Sequence, residues 1–581
     1  MPVLIYRQFP HHIIGKRSQA MRRRDLLKRG TAFTGGVSLV ALINACGGGG
    51  SEPAVETPEG ATSTETAEPA VLTVVQGGGF PNGLDLHQVG TNRPAYGISW
   101  CLYDRLVTFG TKTLDDGSLS YDYTVIEPEL AESWTVADDG LSATFNLRKD
   151  ATFHDGTPVT ANDVKWSYDR AVSVGGFPSF QMKAGALESP DQFVVVDDHT
   201  FQVNFLRQDK LTIMDMAVPI PAIMNAALIE PHITEADPWG LEWANANPAG
   251  SGAYTLDTFS PEERVVLVRN DDWKSGPAPA IEKIIWLNVP EAGNRRALLE
   301  KGDVDINYEV SEKDISELRA MDKYTIASTP IENCLYTIDL NSQSELGGAP
   351  NPFGDVKVRQ AVAYAVPYEA IVETALYGEC VPMYGGESFE PSTIDWPQPY
   401  PYSTDMTKAK ALMAESGYPQ GFDTTLAFNL GTQEWAEPFC VLVKESLAEI
   451  GINVTLEKVP GSNFRAVLVE KSRPMIVNNF GGWLNYPDYF FFYSYHGQNA
   501  TFNGSSYQNP ELDELVDAAL ATGPGDPAYD EHVKGFLAIA FEEMPRIVVA
   551  QPYLSVAMQP GVDGYQYWFH RQLDYRQIKK A

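Results

Sequence analysis

Apolar positions along the chain fall into two rhythms, one of period two and one of helical spacing, and they alternate. Val71-Leu72-Thr73-Val74-Val75 is a dense apolar run rich in β-branched residues and closed by Gly77-Gly78-Gly79, which predicts a strand ending in a turn. No phosphate-loop Lys-Ser/Thr follows those glycines, so they are read as a turn. Ala143 to Leu147 and Val194 to Phe205 alternate apolar with polar residues as half-buried strands do. Between them, Thr160 to Arg170 has helical spacing, with Thr160 as cap and Asp163 at the favourable third position. Phe153-His154-Asp155-Gly156-Thr157-Pro158 is a turn signal in which an Asx hydrogen bond accounts for Asp155 beside His154.

The second half alternates more plainly. Glu437 to Ile450 places Val443, Leu447 and Ile450 on one helical face, stops at Gly451 and passes straight into the strand pattern Ile452-Asn453-Val454-Thr455-Leu456. Lys408 to Ser416, closed by Gly417 and Pro419, behaves similarly. An α/β architecture with at least one mixed sheet follows.

Composition narrows the function. The 581 residues suffice for about three or four domains of ordinary size. With 44% hydrophobic and 20% charged residues, the chain is neither a polytopic membrane protein nor wholly disordered. Forty-three basic against 76 acidic residues give −33, which excludes nucleic acid as the main partner. The first 45 residues hold eight Lys/Arg and one acid, so the body carries −40, a charge that favours a soluble monomer.

Those basic residues have a purpose of their own. Arg23-Arg24-Asp25-Leu26-Leu27-Lys28 and the short, weakly apolar run from Thr31 to Ala45 form a twin-arginine export signal over residues 1–45, with Met21 as the expected start. Ile43-Asn44-Ala45-Cys46 resembles a bacterial lipobox, so Cys46 is the expected lipidation site and membrane anchor. Residues 46–70 have almost no large apolar side chain and read as a flexible tether. Cys101, Cys334, Cys380 and Cys440 are far apart and read either as buried thiols or as one or two disulfides. No Cys/His cluster suggests a metal, and no cofactor is expected.

The block Leu130-Ala131-Glu132-Ser133-Trp134-Thr135-Val136, with Asp139-Gly140-Leu141, Phe145-Asn146-Leu147-Arg148 and Phe153 to Val164, resembles the signature of family 5 (oligopeptide and dipeptide type) solute-binding proteins of bacterial ABC importers. Gly252-Ala253-Tyr254, Val268 to Trp273, Gly302 to Ile306, Asp355 to Ala361 and Lys408 to Tyr418 keep the family's order, so the resemblance covers about 71–575. It implies a periplasmic-binding-protein-like fold (type II, extended): two mixed α/β lobes and an inserted domain. Carried over, lobe I spans 71–106, 246–340 and 546–581, the inserted domain 107–245 and lobe II 341–545. The implied role is to capture a peptide or peptide-like solute by hinge closure and deliver it to permease subunits, without chemistry.

The resemblance also places the ligand. In peptide-binding members an Asp after a Trp pairs with the ligand's α-amino group. Here Trp483-Leu484-Asn485-Tyr486-Pro487-Asp488 puts Asn485 nearest that position, with Asp488 as a stand-in, and Trp483, Tyr486 and Tyr489 as apolar walls. The facing loop His87 to Arg93 supplies Thr91, Asn92 and Arg93, the last suited to a ligand carboxylate. His496 is read as a satisfied polar residue. Nickel complexes, opines and oligosaccharides stay open as ligands. A secreted hydrolase is the alternative of another class, although no GxSxG, HExxH or Walker A pattern is present. A receptor that signals to a sensor is a third.

Overall fold

The computed structural model describes residues 70–581 apart from 78, 89, 499–501 and 524. The expected signal, Cys46 and the tether up to 69 lie outside the described residues.

The initial apolar run forms the strand Val71–Gln76, which pairs in parallel with Lys283–Asn288 on one side and with Ile306–Tyr308 on the other. Arg264–Arg269 and Tyr254–Ser260 extend this sheet antiparallel, making it mixed. A second set, Ile452–Val459, Phe422–Asn429, Met475–Gly481 and Cys334–Leu340, continues in that order. The long strand Arg546–Met558 joins the two sets. Its first half pairs with Cys334–Leu340 and Cys380–Pro382, and its second half with Thr325–Pro330 and Ile306–Tyr308.

This register shows how the strands near the expected boundaries are paired. Cys334–Leu340, expected at the end of lobe I, pairs on one edge with Met475–Gly481 of the expected lobe II and on the other with the first half of Arg546–Met558. The strand pairing passes from the first set to the second at 331–333 and again within Arg546–Met558, near Pro552. The Ile331 N–H donates to Pro552 O at 2.9 Å, tying the two crossings together. A run of seven buried residues reads identically on either side of a crossing, so only its partners decide the assignment.

Residues 107–245 carry their own sheet, in the order Ala131–Val136, Ser142–Leu147, Thr200–Asn204, Phe193–Asp197. Helix Ala161–Ser173 follows its capping signal: Asp163 Oδ2 accepts from Thr160 N at 3.0 Å and from the Thr160 hydroxyl at 2.7 Å. In the preceding turn Asp155 Oδ1 accepts from Thr157 N at 3.0 Å, and His154 is spent on Gly252 O. Helix Gln433–Ala448 begins ahead of the expected Glu437 and carries Pro438 inside it. Trp435 explains the extension, because its ring stacks on Tyr336 with centroids 4.0 Å apart, and that burial offsets the amide proline lacks.

Two large apolar cores result. One joins the first sheet to the inserted segment through Trp100, Phe145, Tyr168 and Ile223. The other fills the second lobe around Ile338, Phe439 and Phe536. Phe480 and Phe492 pack against both. The four described cysteines are buried free thiols. Among the described residues no helix is long and apolar enough to cross a membrane.

Candidate functional site

A cavity of about 660 Å³ opens where the two sheets and the inserted segment converge. Its first wall is the loop and helix start at residues 90–96. Asp85 anchors that loop: both its oxygens receive the Arg170 guanidinium, at 2.6 and 2.8 Å, and Oδ1 also accepts from His87 N at 2.9 Å. His87 is buried against Arg170 and Ile220 O, and burial pulls its pKa down to about 4, so it stays neutral. The turn then requires Gly90 at φ +89. Asn92 starts helix Arg93–Leu102, its Oδ1 accepting from Ala95 N at 3.1 Å and its Nδ2 donating to Phe80 O at 2.7 Å. Arg93 therefore emerges at the first helical position, beside the cavity.

Arg93 is incompletely paired. Its guanidinium lies 3.8 Å from Glu309, beyond hydrogen-bond distance, and its side chain keeps 40% of its surface exposed. Desolvation by the surrounding protein, together with the charge of Arg571, lowers its pKa to about 10; it remains a cation at neutral pH.

The opposite wall is the end of strand Met475–Gly481 and the segment after it. Gly482 is required by close approach, since a Cβ there would lie 2.2 Å from Tyr489 Cε1. This lets Trp483 reach across, its ring edge-on to Tyr96 at 5.1 Å and to Phe177 at 5.2 Å. Tyr489 donates its hydroxyl to Gln181 Oε1 at 3.0 Å, and Gln181 Nε2 donates to Asp215 Oδ1 at 2.6 Å. Burial raises the Asp215 pKa to about 8.

Of the expected residues, Thr91, Arg93, Trp483 and Tyr489 line the cavity. Asn92 does not; its amide is consumed by the helix cap. Tyr486 is half-buried with its ring edge-on to Tyr123 at 5.9 Å, and burial raises its pKa to about 12. The Asn485 side-chain oxygen is buried without a partner, and it too stays off the lining. Asp488 is corrected most sharply. It is fully buried, ion-paired to Lys210 Nζ at 2.7 Å, and accepts from the Tyr529 hydroxyl at 2.8 Å, so it is not available to a ligand amine. His496 lies near Asp513 and Asp517, as a satisfied polar residue would.

Sequence reasoning missed Tyr96, Phe177, Phe180, Arg465, Phe480 and Phe502, and placed Tyr493 and Gln498 near the cleft without assigning them to the wall. Gly175-Gly176-Phe177-Pro178 was a usable signal, an aromatic presented on a glycine turn. Arg465 carried none, being one exposed cation on helix Gly461–Glu470.

A family model described as "Bacterial extracellular solute-binding proteins, family 5 Middle" matches residues 125–502. The chain belongs to this family. Heme-binding protein A of Haemophilus influenzae is 28% identical over 500 residues, covering 80% of this chain and 84% of the relative. The probable D,D-dipeptide-binding periplasmic protein DdpA of Escherichia coli is 26% identical over 508 residues, covering 86% and 92%. The solved structure of the periplasmic binding protein AgaA from A. tumefaciens with agropinic acid superposes with a TM-score of 0.71 at 25% identity, covering 88% of this chain and 99% of that one. This family 5 protein is thus a non-enzymatic, extracytoplasmic solute-binding protein of type II fold, from the family that serves ABC importers. The hydrolase alternative falls with that membership.

Proposed function

We propose that the chain is exported through its twin-arginine signal, is held at a membrane by lipidated Cys46, and as a monomer captures a small peptide-like solute for the permease of its importer. Residues 71–106 and 246–330, with the chain beyond Pro552, form one lobe that carries the segment 107–245; residues 334–551 form the other. The hinge is the pair of crossings at 331–333 and Pro552. The reading rests chiefly on the cavity, whose walls come from both lobes and the inserted segment, so a bound solute adds contacts only when all three are together. A second reading, an acidic solute other than a peptide, is favoured by Arg93 and Arg465 in the wall.

Trp483→Ala tests the site. It removes a ring shared by the three walls and is expected to weaken binding of the co-purifying solute, identified by native mass spectrometry, at least tenfold by calorimetry. Unchanged affinity would move the site elsewhere. Cys46→Ser should transfer the protein from the membrane to the soluble fraction.

A further inference from the structure

The charges around the cavity are one-sided. Of its sixteen lining residues two are arginines, Arg93 and Arg465, and none is acidic. Half are aromatic: Tyr96, Phe177, Phe180, Phe480 and Trp483 with Tyr489, Tyr493 and Phe502. A second hollow of about 290 Å³ shares Arg465, Phe480 and Phe502 with the cavity, and its other polar lining is Asn429, Asn478 and Asn479, again without an acid. The two arginines stand on different lobes. Arg93 has Glu309 at 3.8 Å but also Arg571 nearby, two cations against one anion. Arg465 makes no ion pair with any described acid; its guanidinium lies 5.6 Å from the Phe502 ring. The one carboxylate the sequence offered to a ligand amine, Asp488, is neutralised by Lys210.

Resting on the cleft as the ligand site, we infer that this protein selects an anionic solute, one bearing a carboxylate on an apolar or aromatic body, with no requirement for a free amino group. A guanidinium recognises a carboxylate with two parallel N–H donors, and a bond to an ion in a water-poor cavity is stronger than its neutral counterpart. An ammonium in the same place would meet two arginines and no carboxylate in the cavity lining. With one arginine per lobe, an anion is attracted from both sides only as the lobes close, so charge recognition and closure are the same event.

Calorimetry on the full chain with two matched probes tests this. N-acetyl-phenylalanyl-leucine carries the carboxylate and no amine; phenylalanyl-leucine amide carries the amine and no carboxylate. The acid is expected to bind at least tenfold more tightly than the amide. Arg93→Gln and Arg465→Gln should each weaken the acid at least tenfold, leave the melting temperature unchanged, and leave binding of the amide no weaker. Equal or tighter binding of the amide overturns the inference, as does an acid affinity indifferent to both substitutions, or binding of neither probe below millimolar concentration. The cleft itself is judged separately: probes that bind yet ignore Trp483→Ala refute the site, whereas an amide preference that Trp483→Ala abolishes refutes only the charge assignment.

Discussion

Two charged contacts stand on either side of the Trp483–Ser494 segment, and they are opposites. Behind it, Lys210 and Asp488 are nearly shut off from water, with 9% and 0% of their side chains exposed. Lys210 also donates to Ala519 O at 2.8 Å and lies over the Tyr529 ring at 4.6 Å, while Tyr529 completes Asp488. In front of it, Arg93 and Arg465 face a cavity with little to hold them. The first contact pairs opposite charges away from water and joins the inserted segment to the second lobe. The second is incomplete and awaits a partner. A charge whose bonds are all made within the fold holds the fold together; a charge left short of partners beside a cavity is where binding energy remains to be gained.

The largest loss is expected at Lys210. Lys210→Met strands a buried carboxylate, and urea unfolding should show a loss of about 3–5 kcal/mol. The double variant Lys210→Met/Asp488→Leu should recover most of it; no recovery would mean that the pair's charge is not what matters.

Asp215 sharpens the contrast through pH. Its pKa is 3.8 when unfolded and about 8 when folded, chiefly by burial, so the folded state holds a proton that the unfolded state has released. Stability from this group is therefore present in full below the unfolded value and falls as pH rises from about 4 to about 8. Asp215→Asn keeps a neutral side chain, and its stability relative to the parent should climb by a few kcal/mol across that window. A constant difference between pH 5 and 8 would show that Asp215 is ionised in the fold.

Asn92→Ala removes the cap that sets Arg93 at the cavity edge. Thermal unfolding should register about 0.5–2 kcal/mol, with a loss of acid-probe affinity beyond what the stability change explains. Smallest of all, Arg465→Gln should alter stability by no more than about 0.5 kcal/mol, since Arg465 is exposed and makes no ion pair with a described acid. A larger loss would place it with Lys210 among the structural charges.

Much of the fold was readable in advance because its signals are local. Thr160 and Asp163 lie three residues apart, Gly451 ends one element as Ile452 begins the next, and Val71 to Val75 is apolar whatever it touches. The same holds for Trp483 and Arg93, whose neighbours in the chain carry the family pattern. Asp488 misled because nothing near it in sequence announces Lys210 or Tyr529. Arg465 was invisible for the same reason: an exposed arginine on a helix looks alike whether it faces bulk water or a cavity.

The order of residues alone determined the alternation of strands and helices, the capped helix starts, the acidic body and the family. Tertiary structure alone decided which sheet owns Cys334–Leu340, which carboxylate is already spent, and that two arginines far apart in the chain share one cavity. The physical reason is range. Backbone periodicity and capping act over a few residues and are written where they act, whereas a charge is satisfied or left waiting by whatever the folded chain brings within about 4 Å of it.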